Sequence, residues 1–343
     1  MSDASPEAAI DPVTVERWAA PYLGWQYHPD HCIPSDPGIV GFPHARNPDA
    51  PCIFQLPGET DRWRISFIAF DGQGYNSFIA ESRDLVHWTA PRLALGFGPP
   101  GSFDFGGSVL GAFLYESWAV RAPRRLRRRA GRFWSLYGAY AHQGGYEIDP
   151  GYEGLASSAD GLTWERAQPD PVLSIHDPDC AAWENDCIYQ PWLLEHEGRF
   201  LNFYNAKRMP EWIEQTGLAF SDDLRHWTRH PANPVLPVRP GGWDEKFASD
   251  PKVYRDADHW TMFYFGLNGA GAHIMIAFSR DLRHWTARTE PLYAAGGHPG
   301  GLDAQYAHKT SLVFDPADGA GYLFYCACGK NGRGIGLITN RRR

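Results

Sequence analysis

Short apolar runs alternate with polar turns along most of this chain, and the alternation repeats. Phe78-Ile79-Ala80, Gly154-Leu155-Ala156, Gly217-Leu218-Ala219 and Met275-Ile276-Ala277 are each followed by one polar signature. It reads Ser-x-Asp-x-x-x-Trp, and it runs from Ser82 to Trp88, Ser158 to Trp164, Ser221 to Trp227 and Ser279 to Trp285. Apolar segments this short, closed by turn residues, predict strands rather than helices. The Ser and Asp suit a turn, because short polar side chains bond nearby backbone amides. The Trp opens the next strand and offers a large ring to wedge between neighbouring units. Recurrence at this spacing predicts repeated four-stranded sheets.

A second column lies earlier in each unit. Pro51-Cys52-Ile53-Phe54, Pro123-Arg124-Arg125-Leu126, Pro191-Trp192-Leu193-Leu194 and Pro251-Lys252-Val253-Tyr254 line up, with Ser311-Leu312-Val313-Phe314 as a fifth. Each precedes an aromatic second strand, at Trp63, Phe133, Phe200, Trp260 and Tyr322. Pro is tolerated at a strand start, where its missing N–H is not needed. The predicted fold is therefore all-β: one domain spanning 1–343, a five-bladed propeller with four-stranded antiparallel blades around a central channel. The blades are expected near 36–95, 100–170, 180–238, 240–296 and 300–343. The chain stops after Gly336-Leu337-Ile338 without a final Trp, while Glu16-Arg17-Trp18 echoes the start of an outer strand. Residues 13–21 are thus expected to close the last blade, so that no sheet edge stays open.

Composition narrows the function. A net charge of −8 argues against a nucleic-acid partner. No apolar stretch reaches membrane-spanning length, so no membrane partner is expected. The opening Met1-Ser2-Asp3-Ala4-Ser5-Pro6 lacks the basic and apolar parts of a signal peptide. The six Cys form no CxxC pair, and free thiols in a reducing cytoplasm are the expected state. The arginine run from Arg121 to Arg132 reads as a solvated hairpin.

In a propeller the first strand of each blade lines the channel. Residues just before the Pro column then converge: Asn47, Asp49 and Ala50; Trp118, Arg121 and Ala122; Asp186, Tyr189 and Gln190; Lys246, Ser249 and Asp250; Gln305, His308 and Lys309. This set is polar and differs from blade to blade where the scaffold otherwise repeats, which marks a binding or catalytic site. Asp104, in a segment outside the repeat, is a further candidate to reach it. Trp118, Tyr146, Tyr152, Tyr189 and Tyr306 are candidates to stack on a ligand at the rim.

The repeated Ser-x-Asp-Gly/Leu-x-x-Trp turn resembles that of the five-bladed propeller glycoside hydrolases, families 43, 32, 68, 117 and 130. Ser249-Asp250-Pro251 resembles the Arg-Asp-Pro motif of families 32 and 68 and the Asp-Pro of family 43, with Ser in place of the Arg. The resemblance implies that Asp250 holds substrate hydroxyls or tunes the acid. His308 resembles the channel histidine of family 43. A carbohydrate substrate and hydrolysis of short oligosaccharides or glycosides are implied, by two carboxylates across one glycosidic bond. The catalytic candidates are Asp49, Glu184, Asp186 and Asp250. Glu184 has a second reading, because its column is acidic in most blades and can brace the scaffold. The candidates for holding substrate are Asp104, Trp118, Arg121, Tyr189, Gln190, His308 and Lys309. No cofactor is expected, although a channel cation such as calcium is compatible with the likeness to family 43. Two other readings remain open: a phosphorylase resembling family 130, and a sugar-binding propeller without catalysis.

Overall fold

The computed structural model describes residues 9–146 and 148–341. Its strands group into five antiparallel sheets. Blade one comprises Arg46–Phe54, Trp63–Phe70, Tyr75–Ser82 and Arg92–Leu95. Blade two comprises Gly107–Phe113, Arg132–Tyr140, Gly151–Ser158 and Glu165–Arg166. Blade three comprises Cys187–His196, Arg199–Arg208, Ile213–Ser221 and Thr228–Arg229. Blade four comprises Phe247–Arg255, Trp260–Asn268, Gly271–Ser279 and Thr286–Ala287. Blade five comprises Tyr306–Phe314, Gly321–Gly329, Gly332–Thr339 and the distant Gln26–Tyr27. The propeller is all-β, as the repeat predicts.

The recurring turn works through two side chains. Ser82 Oγ accepts from Leu85 N at 2.9 Å, and Asp84 Oδ1 accepts from Val86 N and His87 N at 3.0 and 2.8 Å. The same bonds recur at Ser158 and Asp160, Ser221 and Asp223, and Ser279 and Asp281. The residue after Asp adopts a positive φ in each copy: Leu85 65°, Gly161 80°, Leu224 73° and Leu282 69°. Leucine is uncommon in that conformation, and the turn's own hydrogen bonds hold it there. Of the four Trp, only Trp164 is fully buried, at 4 % exposure. Trp88, Trp227 and Trp285 are partly buried, less than expected. Trp88 packs edge-on against Phe324 of blade five, and Trp285 against Phe203 of blade three, so the wedge between blades is real.

Two expectations need correction. Residues 13–21 do not close the last blade. Pro12–Ala19 is a helix capped by Asp11, whose side chain accepts from Thr14 N at 3.0 Å. A capping Asp followed by Pro is a helix start, and Trp18 packs on His259 and Phe278 of blade four. Closure falls to Gln26–Tyr27, paired with Thr339 and Ile338. The second correction concerns blade two. Its first strand is Gly107–Phe113, not the segment after Pro123. Residues 114–127 instead cross the base of the channel. Trp118 Nε1 donates to Leu193 O of blade three at 2.9 Å, and Val120 N to Arg255 O of blade four at 2.7 Å. Leu126 N donates to Gln55 O at the end of blade one at 2.9 Å, and Arg121 lies 4.4 Å over the Phe314 ring of blade five. Arg124 is 1 % exposed and donates to Val120 O at 2.7 Å. This segment is a floor, and Trp118 and Arg121 belong to it rather than to the mouth.

Candidate functional site at the channel mouth

Every first strand slips register near the level where the blades converge. The breaks fall between Asp49 and Cys52, Leu110 and Ala112, Tyr189 and Trp192, Ser249 and Lys252, and His308 and Thr310. In four blades the residue inside the break has a positive φ: Ala50 51°, Gln190 53°, Asp250 55° and Lys309 51°. A bulge re-aims a side chain that regular pleating would send elsewhere. Here it re-aims one residue in each of four blades, and in three of them a Pro of the Pro column follows directly. In blade two that place is Gly111, so this blade contributes no side chain to the ring.

Above the ring opens a cavity of about 280 Å³. Tyr146, Tyr189, Trp212, Phe247, Phe265 and Tyr306 supply its apolar walls, and Glu214, Lys246, His308, Lys309 and Arg333 its polar groups. A second lobe shares Tyr146, Tyr189, Trp212 and Glu214 and adds Asp149 and Lys207. A third runs along Asn47, Gln305, Tyr306, Cys328 and Arg333. Tyr146 borders all three lobes.

Asp49 is fully buried beneath the mouth. Its Oδ2 accepts from Lys309 Nζ at 2.8 Å, Arg333 Nη1 at 2.9 Å and Tyr146 Oη at 3.3 Å. Burial opposes its ionisation, but the charges of Lys309 and Arg333 outweigh it and hold the carboxyl far below the usual range. Asp250 is 1 % exposed and bound to Lys252 Nζ at 2.5 Å. Lys252 lines the narrow channel below, with Gln190. His308 stacks on Tyr306, and burial lowers the affinity of its ring for a proton.

Glu214 borders both main lobes. Trp212 Nε1 donates to Oε1 at 3.0 Å, and Ser249 Oγ to Oε2 at 2.9 Å. Asn205 Nδ2 adds a third bond at 3.3 Å. Across the second lobe, Lys207 Nζ sits between Asp149 and Asp186, at 2.5 and 3.1 Å. Burial and the neighbouring charge of Asp186 push the Asp149 carboxyl above its ordinary value, against the pull of Lys207.

The structure thus brings together Asp49, Asp186, Tyr189, His308 and Lys309, with Gln190 and Asp250 at the bulge positions that match Lys309. It takes Glu184 and Asp104 elsewhere. Glu184 is wholly buried and accepts from Tyr204 Oη at 2.9 Å, with Arg229 Nε at 3.0 Å. Asp104 meets Tyr137 Oη at 2.9 Å and Arg166. Asp244 meets Tyr264 and Arg239 in the same way, at 2.7 and 2.9 Å, and Asp303 meets Tyr325 at 3.1 Å. The acidic column is a brace from each loop to the second strand, so the scaffold reading of Glu184 is the one its contacts support. Tyr152 lies against Phe103 and His176, away from the main cavity. Glu214, Asp149, Arg333 and Trp212 were not foreseen. Glu214 and Arg333 lie at the starts of third strands, which reach the mouth because each pairs there with, or packs beside, a neighbouring first strand. Glu214 pairs with Phe247.

Comparison with known proteins bears on this cavity. The family model for the glycosyl hydrolases family 32 N-terminal domain matches residues 154–302. A structure described as a BT0996 complex with RGII is 28 % identical, with a TM-score of 0.81 and 96 % of both chains covered. The likeness is to the propeller glycoside hydrolases. The levanase of Bacillus subtilis (strain 168) is 30 % identical over 200 residues, which cover 55 % of this chain and 27 % of the levanase. The chain therefore spans about a quarter of that relative's length. A structure described as a glycoside hydrolase, at 24 % identity and a TM-score of 0.80, shows the shared fold of these propeller glycoside hydrolases. Among the described residues, no helix is long and apolar enough to cross a membrane.

Proposed function

We propose that this protein is a glycoside hydrolase acting on short carbohydrate chains at the channel mouth, with Glu214 and Asp149 as its working carboxylates. One observation carries the assignment: the two border one aromatic-walled lobe, Glu214 among neutral donors and Asp149 beside the Lys207 ammonium and the Asp186 carboxylate. Trp212 and Asn205 donate to Glu214, and the single hydroxyl proton of Ser249 is shared between Glu214 and Asn205, surroundings that suit a carboxylate that attacks or activates water. Asp149 is shifted towards the protonated form, which suits an acid that assists the leaving oxygen. Asp49, a catalytic candidate from the sequence, serves instead as counter-charge to Lys309 and Arg333, positioning them for sugar hydroxyls. The relatives' names, a levanase and a complex with RGII, support carbohydrate as the substrate class. Phosphorolysis has less support, because Lys309 and Arg333 are already committed to Asp49. The six Cys are thiols rather than disulfides, which favours a reducing compartment such as the cytoplasm.

The test is turnover of an aryl glycoside library. Glu214→Gln and Asp149→Asn are each expected to slow hydrolysis about 10²–10⁴-fold with unchanged thermal midpoints, and Glu184→Gln to act on stability instead. Near parental rates in both of the first two variants would remove the assignment.

A further inference from the structure

Cys326 and Cys328 stand two residues apart on Gly321–Gly329, so their side chains share a face. In the neighbouring strand His308 is opposite Cys326, and Tyr306 is opposite Cys328. The ligating atoms of His308, Cys326 and Cys328 all lie within 4.8 Å of one another, and all three residues are buried. The two sulfurs are 3.9 Å apart. Two thiolates on one tetrahedral zinc, each about 2.3 Å from the ion, sit about 3.8 Å apart, so this pair needs almost no movement. His308 Nδ1 lies 3.2 Å from the Cys326 carbonyl. Donating there leaves Nε2 with the lone pair, and such a carbonyl bond is how ligating histidines are usually oriented. Cys328 borders the third lobe of the mouth and His308 the main cavity, so two of the three side chains reach the mouth.

We propose that His308, Cys326 and Cys328 form a binding site for a thiophilic divalent cation of the zinc type, held by three protein ligands with its fourth position open to the mouth. A Cys₂His set selects a soft or borderline ion over calcium or magnesium, which prefer oxygen. As the two sulfur–metal bonds form, each thiol gives its proton to solvent. The fourth ligand is then water or a hydroxyl of whatever occupies the cavity. This site stands apart from the Glu214–Asp149 assignment and does not depend on it.

Cobalt(II) is the probe. The full-length protein, reduced and stripped with a chelator, is expected to take up one Co²⁺ per chain with thiolate-to-cobalt absorption in the near ultraviolet. Added Zn²⁺ should bleach that absorption. Cys326→Ser and Cys328→Ser should each abolish or strongly weaken it, and Cys180→Ser should leave it intact. Independently of any variant, Zn²⁺ should protect Cys326 and Cys328 of the parent from alkylation, as mapped on peptides. Failure of the reduced parent to develop the absorption would overturn the site. So would its survival in both single variants, or equal alkylation of the two thiols with and without Zn²⁺.

Discussion

Glu153 shows what a carboxyl costs when it has no cation of its own. It is fully buried on the third strand of blade two, with Asn202 on one oxygen and, among the described residues, no hydrogen-bond partner on the other. Burial, with the charge of Glu184 nearby, raises its affinity for a proton well above normal. A carboxyl whose folded pKa exceeds its unfolded one contributes stability fully at pH below about 4, and that contribution is lost as pH rises towards the folded value. Glu153→Gln keeps an acceptor for Asn202 and removes the titration. The thermal midpoint of the variant is therefore expected to fall less between pH 5 and pH 8 than that of the parent. An equal fall in both chains would mean that Glu153 is not the group responsible. Asp84 shows the opposite sign. Its burial is outweighed by the bonds from His87 and the turn amides, which lower it to about 2. Its share of stability is complete above about 4 and disappears as pH falls from there towards 2. At this scale the sequence was only partly legible. Asp49, His308 and Lys309 could be placed because each lies beside a bulge in a first strand. Glu214 and Arg333 could not, since nothing in Trp212-Ile213-Glu214 or Gly332-Arg333-Gly334 reveals that third strands also start at the mouth. Glu184 carried two readings because a brace and a catalytic acid both put a carboxylate just ahead of a strand. The Tyr at matching points of the second strands, Tyr137, Tyr204, Tyr264 and Tyr325, is the signal that separates them.

The turn and its Trp belong to the scale of the element. Trp164 is 4 % exposed and packs on Phe113, whereas Trp227 is only partly buried. Trp164→Ala is expected to cost about 3–5 kcal/mol in urea unfolding, and Trp227→Ala clearly less, because less apolar area returns to water. Equal losses would show that the hydrogen bonds from the two indoles to the turn carbonyls, at 3.2 and 2.9 Å, matter more than burial. The repeat made four blades legible through this turn, and the fifth through its apolar run. It failed at two places, in blade two and near the N-terminus. Pro123-Arg124-Arg125-Leu126 imitates the Pro column but lies in the floor, while Gly107–Phe113 carries no Pro to announce a first strand. Glu16-Arg17-Trp18 imitates an outer strand, although Asp11-Pro12 ahead of it already marks a helix start.

For the whole molecule the floor matters most. Arg124 donates to Val120 O at 2.7 Å and Leu312 O at 3.5 Å, and its guanidinium lies 4.5 Å from the Tyr254 ring. It ties the floor to blades four and five. Arg124→Ala would strand buried carbonyls, at about 1–3 kcal/mol for each group left unsatisfied. A lower urea midpoint is expected, with loss of protection from amide exchange at Val120 and Leu126 before the blade cores. Uniform loss across all five blades would instead mean that the floor and the propeller unfold as one unit.

A passage sealed at one end has a directional consequence. Residues 114–127 close the base, so whatever enters past Tyr146 and Trp212 must leave the same way. A long polymer cannot be threaded through such a cul-de-sac; only a terminus or a short side branch can be inserted. Under the proposed hydrolysis, a product released below Tyr146 and Trp212 would then have to back out before the next substrate could enter.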